Sequence, residues 1–224
     1  MLAYGQTGSG KTYTMGSGFT LGVPPQELGI IPRVITQVFS EEAKRRVKAE
    51  FVIKCSFLEI YNEELIDLLD SGFIDKVIPT QGQQKKEISI REEKNGAISV
   101  YGLREATVGS AAEMANCLDI GSHARRTAST LMNSQSSRSH CIFTITIEQH
   151  LLEDASDQQQ QSDTASSKQN EFTVAKFHFV DLAGSERAKK TGATGNTFKE
   201  GVNINKSLLA LGNVISALTD DAKK

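Results

Sequence analysis

Apolar residues along this 224-residue chain fall into short patterned runs, and the period of each run predicts its element. Ile31, Ile35, Val38 and Phe39 recur at helical spacing, with Pro32 placed to start the segment and mixed charge from Glu41 to Lys48 on its exposed turns. From Phe51 to Ile60 the period falls to two: Phe51, Ile53, Cys55 and Phe57 share one face, as in a strand. Asn62 to Asp70 is expected to add a short helix. Ile88–Arg91 and Ala97–Tyr101 flank Asn95-Gly96, a dipeptide favoured in tight hairpin turns. Ser110 is placed to cap a helix with Glu113 as its capping-box partner, carrying Met114, Cys117 and Leu118 inward. Cys141, Phe143, Ile145 and Ile147 alternate as a strand, and Phe177 and Phe179 do so on the way to Val180. Ile204, Leu208, Leu211, Ile215 and Leu218 form the most regular helical stripe in the chain.

Two stretches break these patterns. Ser71 to Glu87, rich in Gly, Gln, Thr and Pro, reads as a loop. Glu153 to Asn170, with four consecutive glutamines at Gln158 to Gln161, is too poor in apolar residues to join a core and reads as a solvated loop. Helices and strands in this order imply an α/β fold without internal repeats.

Composition changes this picture little. The chain is 38% apolar and 23% charged with a formal net charge of −2, so nothing global favours nucleic acid or an anionic membrane, and any charged partner must meet a local patch. The three cysteines, Cys55, Cys117 and Cys141, lack disulfide or metal-ligand spacing and read as buried thiols of a reducing, cytoplasmic or nuclear, compartment. No apolar run reaches the ~18 residues that a membrane span needs.

Candidate chemistry begins at Gly5-Gln6-Thr7-Gly8-Ser9-Gly10-Lys11-Thr12, which fits the phosphate-binding pattern G-x-x-x-x-G-K-[ST]. In that pattern the glycines let backbone amides wrap phosphates, Lys11 reaches the β- and γ-phosphates, and the Thr12 hydroxyl can ligate Mg²⁺. Asp181-Leu182-Ala183-Gly184 follows an apolar strand, where an Asp can hold Mg²⁺ through water and a glycine amide can contact the γ-phosphate; alone, the same residues read equally as a strand exit. Asn133 to His140 (NSQSSRSH) is a hydroxyl-rich loop before a strand. By residue type alone it is a capping loop, but beside the other two segments Ser137 can complete Mg²⁺ coordination and Arg138 can pair with Glu186 across the site.

Together, Gly5–Met15 (GQTGSGKTYTM), Asn133–His140 (NSQSSRSH), Asp181–Arg187 (DLAGSER) and Asn203–Leu218 (NINKSLLALGNVISAL) resemble the kinesin motor domain, in the family's order and over essentially the whole chain. The wording of Leu58–Glu64, Cys141–Ile145 and Lys176–Val180 is most similar to the chromokinesin-like, fourth subfamily. The resemblance implies a P-loop NTPase with a central, mostly parallel sheet flanked by helices. It implies a phosphate loop at 5–12, switch I at 133–140, the polar loop at 153–170, switch II at 181–187 and a relay helix at about 203–219 lying against tubulin. It also implies ATP and Mg²⁺ as ligands and microtubules as partner, with cytoskeletal, and nuclear or spindle, association. Gly5, Gln6, Thr7, Gly8, Ser9, Gly10, Lys11, Thr12 and Tyr13 would then bind nucleotide, and Thr12, Ser137 and, through water, Asp181 the metal. Ser136 and Arg138 would organise the attacking water, Gly184 would sense the γ-phosphate, and Glu186 would form the switch salt bridge and relay the proton.

From Arg187 to Lys206 the chain carries Arg187, Lys189, Lys190, Lys199 and Lys206 against only Glu200. Such a run usually marks a solvated face; its place between switch II and the relay helix favours contact with acidic tubulin. Gly16 to Gly29, with Pro24 and Pro25, is similar to the surface loop that interrupts the helix after the phosphate loop in kinesins, but reads more readily as simple connection. The family pattern further leads one to expect opening strands and an adenine-contacting segment ahead of Met1. After Lys224 it expects a further tubulin-binding loop, helices, a closing strand and a neck; dimerisation would need such segments. Two alternatives to a motor core stay open: a non-catalytic microtubule- or nucleotide-binding module, and a GTPase-like switch, the latter weakened because no N-K-x-D motif follows switch II.

Overall fold

The computed structural model describes residues 1–17, 22–70, 87–127, 137–152, 172–186 and 196–219. Its frame is one sheet in the order β1 (Leu2–Ala3), β8 (Phe172–Asp181), β7 (Ser139–Leu151), β2 (Ala49–Tyr61) and β3 (Glu64–Asp67), with β6 (Ala106–Thr107) also pairing β2. A separate two-stranded ribbon joins β4 (Ser89–Glu92) to β5 (Ile98–Tyr101) through the expected Asn95-Gly96 turn. The helices are α1 (Lys11–Met15), α2 (Ile30–Arg45), α3 (Ala111–Thr127) and α4 (Asn196–Thr219), with a 3-10 turn at Pro25–Glu27.

The α/β class is as expected, but the sheet is mixed rather than mostly parallel. Among the described residues only β1 runs parallel to its neighbour, β8, while β2, β7 and β8 pair antiparallel. Strands β7 and β8 are consecutive among the described elements and pair side by side, the arrangement that antiparallel neighbours adopt, whereas parallel neighbours need a long crossover.

The expected helix over Asn62–Asp70 is also replaced. Asn62 and Glu63 both adopt positive φ, 50° and 68°, the backbone of a two-residue hairpin turn whose twist suits its flanking strands, and Leu65 and Ile66 then pair back onto β2. Leu68 and Leu69 are buried in the core, so the apolar spacing that suggested a helix serves a strand and its exit. Asn tolerates the left-handed region, but the usual glycine of such turns is missing here.

Helix α3 sets the core. Its capping box is offset by one residue: Ser110 Oγ accepts from the Glu113 N–H at 3.2 Å, whereas the Glu113 carboxylate reaches back to the Gly109 N–H at 2.8 Å. Met114, Cys117 and Leu118 face inward and are fully buried, as the sequence indicates. Four residues of helix rise about 6 Å, and two residues of strand nearly 7 Å, so every fourth residue of α3 can meet every second row of the sheet. Cys117 lies against Cys55, and Gly121 against Phe57, whose ring meets Phe143 edge-on at 5.3 Å. One turn further, Arg125 meets the row Glu59, Cys141 and Asp181, which are direct partners across β2, β7 and β8.

Helix α2 packs Ile31 and Ile35 into the same core, with Val38 and Phe39 beside them. Arg33 holds the preceding loop by donating to the carbonyls of Leu28, Pro25 and Gln26. Phe179 is buried, but Phe177 is 45% exposed; among the described residues β1 pairs only Val180 and Asp181 of that edge of β8. Along the regular stripe of α4, Ile204, Leu208 and Leu211 are half-buried, while Ile215 and Leu218 stand in solvent.

A Cβ at Gly121 would stand 2.2 Å from a Phe57 ring carbon. Gly121→Ala should therefore destabilise the fold by about 1–3 kcal/mol through overpacking, outweighing the ~1 kcal/mol that alanine gains in a helix. Denaturant midpoints of the two proteins measure this; an alanine protein as stable as the parent would show that α3 does not seat on the Phe57 row.

Candidate active site

The sheet delivers two loops to one edge. Strand β1 ends at Ala3 and releases the glycine-rich loop; its parallel partner β8 ends at Asp181 and releases Leu182–Glu186. Backbone bonds continue the pairing, with Leu182 N–H donating to Ala3 O at 3.2 Å and Ser185 N–H to Gly5 O at 3.1 Å. The third segment arrives just ahead of β7, where the Ser137 carbonyl accepts the Gly184 N–H at 2.8 Å. All three motifs singled out in the sequence thus converge, although Ser136 lies outside the described residues.

In the glycine-rich loop, Gly8 and Gly10 hold φ of 80° and 88°, and Gly10 opens α1 in the left-handed region. Gln6, Thr7, Gly8 and Ser9 are exposed, and Tyr13 is exposed as well. The Lys11 ammonium donates to the loop's own carbonyls, Gly5 at 2.9 Å and Gln6 at 3.0 Å. Such a lysine is held in place by weak acceptors that an anion would displace.

The Leu182–Glu186 loop meets the glycine-rich loop through Glu186. One carboxylate oxygen accepts the Thr7 N–H at 2.9 Å and the other accepts the Thr7 hydroxyl. Burial pushes this carboxyl up, but the two Thr7 bonds, with the nearby Lys11 charge, hold it below the ordinary glutamate range, so it is ionised at neutral pH. The sequence indicates Arg138 as its partner; here both oxygens serve Thr7. Gly184 is buried, and a Cβ there would lie 2.3 Å from Glu186 Oε2 and 2.5 Å from Thr7 Oγ1. Only a glycine allows the loop to pass this close to the carboxylate.

Asp181 is the most constrained group in the site. It is 2% exposed, and its Oδ2 accepts from Thr12 Oγ1 at 2.7 Å, Ser17 Oγ at 3.1 Å and Arg125 Nη1 at 3.1 Å. Its Oδ1 is buried without a hydrogen-bond partner. A buried carboxylate oxygen left bare beside the Thr12 hydroxyl suits a hard divalent cation that keeps most of its waters and takes one or two protein oxygens. Thr12 and Asp181 therefore fit Mg²⁺; when bound, such an ion would supply positive charge against phosphate oxygens. Among the described residues no cluster of three or more His, Cys, Asp or Glu could hold a metal by itself.

Sequence reasoning missed Arg125. It is 4% exposed, and its guanidinium bridges Asp181 and Glu59 (3.6 Å) while also bonding the Ser139 hydroxyl and carbonyl. An arginine within Arg125-Arg126 of a polar helix end reads as solvated; only the strand register, which places two acids on either side of Cys141, gives it a partner. Cys141 is small enough to lie beneath it, and burial pushes that thiol up to about 12, so it stays protonated. Missed too was Ser122, whose hydroxyl donates to the Ser17 carbonyl at 2.8 Å and ties α3 to the end of the phosphate-loop segment.

The tubulin-facing expectation is only partly placed. Arg187, Lys189 and Lys190 fall outside the described residues; Lys199 lies in α4, outside the described side chains; Lys206 is an exposed residue of α4.

Replacing Arg125 with methionine leaves two buried carboxylates without their shared cation. The expected cost is about 3–5 kcal/mol, read as a fall in the denaturation midpoint, with Arg125→Lys intermediate because an ammonium cannot span both acids as a planar fork. A loss below ~1 kcal/mol in the methionine protein would contradict this reading of the triad.

The chain is similar to known proteins along its whole length. Residues 1–224 match the family model described as Kinesin motor domain. Kinesin-like protein KIN-4A of Arabidopsis thaliana is 50% identical over 235 residues, covering 100% of this chain and 22% of the relative. Chromosome-associated kinesin KIF4A of Homo sapiens is 49% identical over 224 residues, covering 100% and 16%. Kinesin-like protein KIF21B of Homo sapiens is 48% identical over 238 residues, covering 100% and 14%. Among solved structures, a fast kinesin superimposes with a TM-score of 0.74 at 39% identity, covering 98% of this chain and 54% of that one. A KIF14 dimer bound to AMP-PNP and a microtubule superimposes with a TM-score of 0.72 at 37% identity, covering 99% and 55%. The chain thus spans about a fifth of those curated relatives or less, and about half of those solved chains.

Proposed function

The chain belongs to the kinesin motor domain family, and from that premise we propose that it is the nucleotide-hydrolysing part of a microtubule motor of the chromokinesin-like kind. The observation that carries the reading is the convergence of Gly5–Thr12, Ser137–Arg138 and Asp181–Glu186 on one edge of the sheet, joined by the Gly184–Ser137, Ser185–Gly5 and Glu186–Thr7 bonds. The solved relatives support it: the KIF14 dimer carries AMP-PNP on a microtubule, and the fast kinesin bears on ATPase mechanism and interactions with microtubules.

In this reading ATP lays its phosphates on the amides of Gly8–Lys11, and the Lys11 ammonium leaves the Gly5 and Gln6 carbonyls for phosphate oxygens. Thr12, Ser137 and, through water, Asp181 would hold Mg²⁺, which would supply positive charge against the phosphate oxygens. The Gly184 N–H passes from the Ser137 carbonyl to the γ-phosphate. Glu186 then exchanges Thr7 for Arg138, closing the site so that Ser136 and Arg138 hold the attacking water and Glu186 takes up its proton. Catalysis here is positioning plus charge stabilisation, with no covalent intermediate. Arg187, Lys189, Lys190, Lys199 and Lys206 face acidic tubulin, and the protein works on the microtubule cytoskeleton, with nuclear or spindle association following from the chromosome-associated relatives.

The test is steady-state ATP turnover of the full-length protein with and without microtubules. The expected result is turnover that microtubules raise. Lys11→Ala should abolish it together with nucleotide binding, whereas Glu186→Gln should retain binding and lose about 10²–10⁴-fold in kcat, the range for a lost general base. Nucleotide and microtubule binding without turnover in the parent would favour the non-catalytic alternative instead.

A further inference from the structure

Ser139 and Cys141 point to the α3 side of the sheet, so strand alternation turns the residue between them, His140, to the opposite face. There it is 7% exposed and held at both ring nitrogens. Nδ1 lies 3.2 Å from the Ala183 backbone nitrogen, and Nε2 lies 2.8 Å from Ser207 Oγ. A backbone N–H can only donate, so Nδ1 is the acceptor and the ring's single hydrogen sits on Nε2, donating to Ser207. Ser207 in turn donates to the Ile204 carbonyl at 2.8 Å. Burial, with the neighbouring Arg125 charge, pushes the imidazole below its ordinary range and keeps it neutral, as this chain of bonds requires.

The two ends of this relay belong to different functional parts. Ala183 lies between Asp181 and Gly184, in the loop whose amide and carboxylate bonds must change partner when a γ-phosphate arrives. Ser207 lies in α4, next to Lys206. His140 itself is fixed at the start of β7, opposite Ile60 of β2. A ring on so rigid a mount cannot follow a moving Ala183 and still hold Ser207; one of the two bonds has to yield.

We propose that His140 is a positioning residue that transmits the state of the 181–186 loop to helix α4, through the Ala183 N–H on one ring nitrogen and the Ser207 hydroxyl on the other. The proposal rests on the nucleotide-switch reading above and names the residue through which that switch reaches the helix. A second bond, from Asn203 Nδ2 to Asn62 Oδ1 at 3.0 Å, anchors α4 to the β2–β3 turn and gives the helix a pivot one turn before Ser207.

The ring's two bonds can be separated. His140→Asn keeps an acceptor near Nδ1 but falls short of Ser207, His140→Gln keeps a donor reaching toward Ser207, and Ser207→Ala removes the far end alone. In the full-length protein, two readouts are compared: microtubule stimulation of ATP turnover, and the change in amide exchange of residues 204–211 on adding Mg²⁺ and AMP-PNP. Ser207→Ala should leave basal turnover within about twofold while stimulation falls roughly three- to tenfold, the range one hydrogen bond supplies, and the exchange response disappears. His140→Asn should lose the same share of stimulation and the exchange response, His140→Gln should retain more of both, and in both responses the Asn/Ala double variant should be no worse than either single change. Variants with parental stimulation and exchange response overturn the inference, as does an additive double variant. Should the parent respond to AMP-PNP but not to microtubules, the motor reading fails and the exchange data still decide His140. A parent that binds no nucleotide sinks both.

Discussion

Everything at this edge of the sheet is organised around one carboxylate that the fold has removed from water. An isolated charge at the depth of Asp181 would be costly, and the protein meets that cost by gathering donors from three elements: Thr12 from α1, Ser17 from the segment after it, and Arg125 from α3. Buried ion pairs of this kind seldom add stability relative to an apolar core. What the cluster adds is geometry: it fixes the end of β8 relative to the glycine-rich loop and leaves one carboxylate oxygen, Oδ1, without a hydrogen-bond partner among the described residues.

That point is held from beneath by a match of two periods. Cys117, Gly121 and Arg125 of α3 sit over the Cys55, Phe57 and Glu59 rows in turn. The apolar contacts and the acidic cluster are therefore one register, and a shift of α3 by a single turn would place Arg125 over phenylalanine rings and take the guanidinium away from both acids. The same register explains the small residues: glycine where a ring comes close, cysteine where a guanidinium lies across the strand.

Much of this was legible in the sequence where a local period or a motif spoke for itself. The alternation at Phe51–Phe57 and Cys141–Ile147, the turn at Asn95-Gly96 and the inward face of α3 all appear as read. The described parts of the three motif segments also meet at one edge of the sheet. What failed needed information that the local chain does not hold. Leu65, Leu68 and Leu69 have helical spacing, yet the positive φ of Asn62 and Glu63 reverses the chain before a helix can start. The direction of the strands depends on how β7 returns to β8, across residues whose polar composition says nothing about topology. Arg125 and His140 acquire meaning only from partners in distant strands and loops, so no window of sequence could have assigned them.

The central claim is that Asp181 is the fixed point of the site while the Glu186–Thr7 bond is the part that moves. A crystal structure of the protein with Mg²⁺ and a non-hydrolysable ATP analogue tests it most directly. The account predicts Asp181 still joined to Arg125, its free oxygen turned to a water of the metal, and Glu186 released from Thr7 to Arg138. Glu186 remaining on Thr7 with nucleotide bound, or Asp181 parted from Arg125, would contradict it.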